Sequence, residues 1–382
     1  MSERKSGGCR SFLVTAVILF FAWLFINNFI SELNKPQTAP TNTPPTTITV
    51  PVKPQIPEED NTKPLPPVVK EVDIAKVVQE APSSNETITR HYDWQYGDSE
   101  WSWDVSIPGA LYDYYKGIPR PPTRNYSVYV THPLDDPYIT HLVEKIKEAA
   151  TKQGYDEYQT IELAIVFVQS LPYTVDSVTT PFDEYPRYPI ETLVDGGGDC
   201  EDTAILLAAV INQMGYGVVL LGLPDHMAVG IKGGDDVYGT YWEYRGYKYY
   251  YLETTETGWG IGQLPDEYTG MSANIFAMVP VPIITHNWDL ETDGYFARIK
   301  VTVDNLGSAT ASGVYVLVGF DAGDNKIWNP AQSDPINLAP GMQATITLTL
   351  RPPPSGIHTR LVVQIVMGDE SVDNSYSAWV DT

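Results

Sequence analysis

Three residues of this chain stand in an order and setting that supports nucleophilic catalysis. Cys200 lies in GGGDCEDTAILLAAVINQMGYG (196–217), His226 in PDHMAVGI (224–231) and Glu253 in YYYLETT (249–255). A thiol becomes a useful nucleophile when an imidazole takes its proton and a carboxylate holds the imidazole. The bland alternative for a solitary thiol is a buried small hydrophobe. The neighbourhood of Cys200 argues for more. Asp199 is suited to cap a helix, and Gly196–Gly198 supply a loop that permits close approach. Cys200 then falls in the first helical turn, where free N–H groups and the macrodipole favour an anion. Glu201 and Asp202 oppose that effect, so the imidazole must supply most of the activation.

Positioning these groups requires one helix and two strands. The apolar run after Cys200 has no polar face, which predicts a helix over 200–214 buried all round and stopped by Gly215. In a strand opening at His226, Ala228 and Gly230 share the histidine's face, leaving room for a groove; Met227, Val229 and Ile231 face the core. Glu253 shares a face with Tyr251 and Tyr249. If the two strands pair antiparallel, Glu253 reaches one ring nitrogen and leaves the other for sulfur. Strands are expected at 217–223, 226–232, 238–245 and 247–253. The tyrosine-dense stretch 238–251 reads as aromatic sheet packing in preference to a ligand groove.

Upstream, HYDWQYG and WSWDVSIP flank Asp98-Ser99 as a hairpin. Helical spacing of apolar residues follows in 136–154 and 155–173, the second ending at Pro172. Residues 174–192 read as a Pro- and Tyr-rich loop. After Asn287, short alternating runs separated by Gly, Pro, Asn and Asp predict an antiparallel β-sandwich with no evident chemistry. The acidic DLETDG (289–294) has Lys300 where a calcium loop needs Glu, so it reads as an interdomain turn.

The segment GDCED, the apolar helix ending in Gly-Tyr, and PDHMAVGI resemble the transglutaminase-like superfamily, over roughly residues 137–268. The resemblance implies an α+β fold with a papain/transglutaminase-like core: a central nucleophile helix packed on an antiparallel sheet. It implies catalytic roles for Cys200, His226 and Glu253, with Glu253 standing where Asp is commoner. The backbone N–H of Cys200 is one oxyanion donor; the second is unassigned. The C-terminal sandwich resembles immunoglobulin-like surface modules.

The N-terminus sets the expected location. Residues 11–30 are apolar apart from Ser11, Thr15, Asn27 and Asn28, and Arg4, Lys5 and Arg10 precede them. Twenty helical residues span about 30 Å, the thickness of a bilayer core. A single-pass anchor with a cytoplasmic N-terminus is expected, a cleaved signal peptide being the rival. Cys9 and Cys200, the only cysteines, then lie on opposite sides of the membrane, which leaves no intrachain disulfide. The expected domains are a tail (1–10), an anchor (11–33), a disordered linker (34–88), a transglutaminase-like domain (89–288) and the sandwich (289–382). Ten prolines between Asn34 and Lys70 make the linker a semi-rigid spacer.

A formal charge of −24 argues against a nucleic-acid partner, which needs clustered Lys and Arg. No cofactor or metal is expected. The partners expected are a protein or peptide substrate outside the cytoplasm, the membrane, and envelope or surface proteins met through the sandwich. The function expected is a cysteine enzyme acting on amide or isopeptide bonds through a thioester, hydrolysis being slightly favoured over acyl transfer. A catalytically silent binding or envelope-assembly module is the alternative.

Overall fold

The computed structural model describes residues 71–76, 86–121, 123–176, 185–293, 295–323 and 326–382. The expected tail, membrane anchor and proline-rich stretch up to residue 70 lie outside the described residues. Among the described residues, no helix is long and apolar enough to cross a membrane.

Strand β1 (Glu71–Lys76) is followed by the aromatic hairpin β2 (Thr87–Tyr96) and β3 (Ser99–Pro108). Helices α1 (Gly109–Gly117), α2 (Ser127–Val130), α3 (Asp136–Gln153), α4 (Glu157–Gln169), α5 (Pro189–Asp195) and α6 (Cys200–Met214) come next. A five-stranded antiparallel sheet then forms from β4 (Val218–Leu223), β5 (His226–Gly233), β6 (Tyr241–Tyr244), β7 (Tyr247–Leu252) and β8 (Asn274–Ala277), in the order β6-β7-β5-β4-β8. The hairpin, the two long helices and the strands at 218–252 sit where the sequence places them. Helix α5 does not: the Pro- and Tyr-rich composition of 174–192 predicts loop, yet Pro189 occupies the first helical turn, where a missing N–H costs nothing.

Helix α6 is the hub. Its residues from Glu201 to Ile211 are all buried, enclosed by α2, α3, α4, α5 and the inner face of the sheet. Met227, Val229 and Ile231 supply that inner face. The outer face departs from expectation. Ala228 and Gly230 do not border an open groove; Val219, Leu221 and Tyr251 close over them in a second small core, with Leu264 and Tyr268 packed against it. A Cβ at Gly230 would come 2.7 Å from Val219 Cγ2, so the small residue serves close packing.

The sandwich has two antiparallel sheets around one apolar core, and a separate two-stranded ladder. Its strands are β9 (Ile284–Thr292), β10 (Ala297–Asn305), β11 (Ala311–Asp321), β12 (Ile327–Gln332), β13 (Ile336–Leu338), β14 (Met342–Leu350), β15 (His358–Thr359), β16 (Leu361–Met367), β17 (Glu370–Tyr376) and β18 (Val380–Asp381). Two expected boundaries change. β9 starts at Ile284, so a cut at 289 divides a strand, because the turn residues used to place the cut lie within β9 and its hairpin. Residues 71–76, assigned to the disordered linker, pair antiparallel with β14 from Glu71↔Thr347 to Lys76↔Met342. Their alternation of Val72 and Ile74 with charged residues suits an edge strand. Residues 289–292 of the acidic stretch are the end of β9 and not an interdomain turn; beyond them Asp293 Oδ1 accepts from the N–H groups of Tyr295 and Phe296 at 2.9 and 2.8 Å.

Candidate active site

The loop entering α6 is shaped by its glycines. Gly196 ends α5 in the left-handed region at φ 77°. A Cβ on Gly197 would lie 2.2 Å from the Pro172 carbonyl oxygen, so no other residue fits without displacing that backbone. Thr174 N–H donates to Gly198 O at 2.9 Å, which ties the loop to the segment leaving α4. Asp199 N–H donates to Asp202 Oδ2 at 3.3 Å and starts the helix. Cys200 is its first residue and is partly exposed.

His226 opens β5 directly after a two-residue turn in which Asp225 takes φ 53°. Glu253 immediately follows β7. Its Oε2 is 3.0 Å from His226 Nε2 and accepts from the Tyr251 hydroxyl at 2.6 Å. Oε1 accepts from Thr254 N–H, Thr255 N–H and Thr255 Oγ1 at 2.9, 3.1 and 2.8 Å. Burial pushes this carboxyl up, but the hydrogen bond and charge of His226, with the other donors, outweigh it and hold the group down at about 2. An ionised Glu253 accepts only, so Nε2 carries the ring hydrogen and Nδ1 keeps its lone pair. Nδ1 has no hydrogen-bond partner among the described residues. Tyr268 lies flat on the imidazole, with centroids 5.1 Å apart and planes 7° from parallel.

The Met227 N–H, one residue beyond the imidazole, favours the ionised form of the thiol. The sulfur's own hydrogen bond goes to Glu201 Oε2, at 3.2 Å. Burial, then the charge of Glu201, pushes the thiol well above its ordinary range, against the pull of Met227 N–H. The helix terminus therefore does not yield a thiolate at rest. Glu201 opposes it, as its sequence position suggests, and burial adds to the opposition. Thr203 Oγ1 meets Thr254 Oγ1 at 2.9 Å, bracing the helix against the strand end that carries Glu253.

Arg187 is the residue that sequence reasoning missed. Fully buried, its guanidinium meets Asp176 at 3.0 Å and Asp195 at 3.2 Å, and it also pairs with Asp202. Asp202 thus anchors the nucleophile helix through a buried ion pair, a different role from dipole complementation. The available signal was that Arg187 is the only basic residue between 174 and 199, among six acids. Asp176, Asp199 and Glu201 each bring a carboxylate oxygen within 4.8 Å of the others, a set able to hold a hard cation. Burial and the neighbouring Glu201 push the Asp199 carboxyl up to about 8, so a proton also neutralises it.

No family model and no curated protein matches the chain. Among solved structures, LapG from Legionella pneumophila aligns at 20% identity, covering 35% of this chain and 81% of its own, with a TM-score of 0.22. Red sea bream transglutaminase aligns at 9% identity over 76% of this chain and 61% of its own, TM-score 0.18. The CARDB domain of the PF1109 protein from Pyrococcus furiosus, in complex with di-metal ions, aligns at 17% identity over 26% and 87%, TM-score 0.20. With TM-scores of 0.22 or below, none of these superpositions bears on the arrangement of the residues above.

Proposed function

We propose that this chain is a transglutaminase-like cysteine enzyme acting on amide or isopeptide bonds, anchored at a membrane with its catalytic domain outside the cytoplasm. The observation that carries the reading is the His226–Glu253 pair, 3.0 Å apart: an ionised carboxylate holds the ring hydrogen on Nε2, which leaves Nδ1 free to serve as the base for Cys200. In the reaction, the Cys200 proton passes to Nδ1 as sulfur attacks the carbonyl carbon. Glu253 stabilises the resulting imidazolium, and the proton then goes to the leaving amine. Water resolves the thioester in hydrolysis; an amine does so in acyl transfer. Hydrolysis is favoured, since a proline-rich spacer lets the domain reach peptides away from the membrane. Because the resting thiol is bonded to Glu201, substrate entry has to turn sulfur from Glu201 toward the ring.

One observation favours the second reading, a silent binding module: burial and Glu201 both oppose ionisation of the thiol. Alkylation of Cys200 by iodoacetamide across pH separates the two. An active enzyme gives labelling near neutral pH that is lost in His226→Ala. Labelling that rises only in strong alkali, equally in both proteins, removes the enzymatic reading.

A further inference from the structure

The sandwich holds a second ordered constellation, distinct from the cysteine site and independent of the function proposed for it. His286 and Trp288 alternate along one face of β9; Asp373 and Ser375 do the same along β17. β9 is an outer strand of one sheet and β17 an outer strand of the other, and the two pairs interlock across the open edge. His286 Nδ1 lies 2.6 Å from Asp373 Oδ2, and Nε2 lies 2.7 Å from Ser375 Oγ. Trp288 Nε1 donates to the same Oγ at 2.8 Å. The ladder between β16 and β17 shifts register beside this point: Ile365 faces Asp373, but Val366 faces Ser371, leaving Val372 as an extra residue. Such bulges re-aim side chains, and they recur beside active sites.

The partners fix where the protons sit. An ionised Asp373 only accepts, so Nδ1 carries the ring hydrogen and Nε2 offers its lone pair. The indole only donates, so Oγ accepts from Trp288 and turns its own hydrogen toward Nε2. A serine hydroxyl aimed at a free imidazole nitrogen, with an acid behind the ring, is the arrangement that activates a serine.

We propose that Ser375 is an activated serine nucleophile, with His286 as its base and Asp373 as the group that orients the ring, reacting with small activated esters. Oγ attacks the ester carbonyl while its proton moves to Nε2. Collapse of the tetrahedral adduct expels the alkoxide, which takes the proton from Nε2 and leaves as the alcohol; water then releases the acid from the acyl-serine by the same relay. The substrate class follows from position. The His286 side chain is 2% exposed and that of Asp373 31% exposed, at a sheet edge. An edge supplies little binding energy, so the leaving group must be good.

The test is to treat the full chain with a fluorophosphonate probe at mildly alkaline pH and locate adducts by peptide mapping. We expect an adduct at Ser375 in the folded protein, none there after unfolding in urea, and labelling slowed roughly tenfold or more in Asp373→Asn, which keeps shape but inverts the ring's hydrogen. Hydrolysis of p-nitrophenyl acetate should fall in the same variant. Thermal melting confirms that the variant is folded. Absence of a folded-state adduct at Ser375, or equal labelling in Asp373→Asn, overturns the proposal and leaves the four side chains as a staple between sheets.

Discussion

Glu253 reaches His226 diagonally across the sheet. β5 and β7 pair with Val229 opposite Leu252, and continuing that register sets Glu253 across from Ala228, two residues from His226 on the same face. Diagonal neighbours are roughly 7–8 Å apart at Cα, a gap that suits a longer acid.

Glu253→Asp should therefore lose the 3.0 Å contact to Nε2 while keeping its charge. Glu253→Gln keeps the length but removes the charge that stabilises the imidazolium. Each should slow alkylation of Cys200 near neutral pH, and any peptidase or transferase turnover, by about 10²–10⁴-fold. Circular dichroism of both variants checks that the sheet is intact.

Glu201→Gln removes a negative charge from beside the sulfur. Since that charge raises the thiol, the midpoint of the alkylation–pH curve should move down in the variant. An unchanged midpoint would mean that burial alone sets it.

Acid should weaken the fold through Glu253. Its folded value, about 2, lies below the ordinary 4.5, so its contribution is fully present above pH 4.5 and fades as pH falls toward 2. At 1.36 kcal/mol per unit this amounts to about 3 kcal/mol. Urea denaturation of wild type and Glu253→Gln across this range should show the wild type losing more.

Arg187→Met leaves three carboxylates around an uncharged side chain. Breaking a buried pair by removing one partner costs about 3–5 kcal/mol. The denaturation midpoint should drop sharply, and Cys200 should lose its ordered setting at the head of α6. Asp195→Asn should cost far less, because that carboxylate is 23% exposed and Arg187 keeps its other partners.

A soluble fragment beginning at residue 89 would lack β1 and bare the edge of β14. Compared with a fragment beginning at residue 71, it should melt lower and scatter more light on concentration, because an unpaired strand edge invites association. Differential scanning calorimetry and light scattering of the two read this directly.

Much of this was legible in the residues. The heads of α6 and β5 were marked by Asp199 and by the Pro-Asp turn, and helix α6 by its lack of a polar face. The His226–Glu253 pair followed from strand alternation together with the antiparallel pairing that β5 and β7 adopt. Other features were hidden for physical reasons. Arg187 joins three carboxylates that no period relates, so only the fold shows them together. His286 escaped notice because turn residues placed the sandwich's start inside its own strand. The closed outer face over Ala228 and Gly230 depends on side chains from neighbouring strands, which alternation along one strand does not report. Strand β1 sits beside a proline-rich run whose composition dominated the reading.

The pairing of β1 with β14 also sets how the molecule would carry a load. The helical and five-stranded portion is spliced into the chain between β1 and β9, two strands of one sandwich sheet. Tension arriving from residues before Glu71 meets the six residue pairs of that ladder lengthwise, so they resist together instead of peeling one by one. The cysteine, imidazole and carboxylate belong to the inserted stretch and lie on neither strand of that ladder.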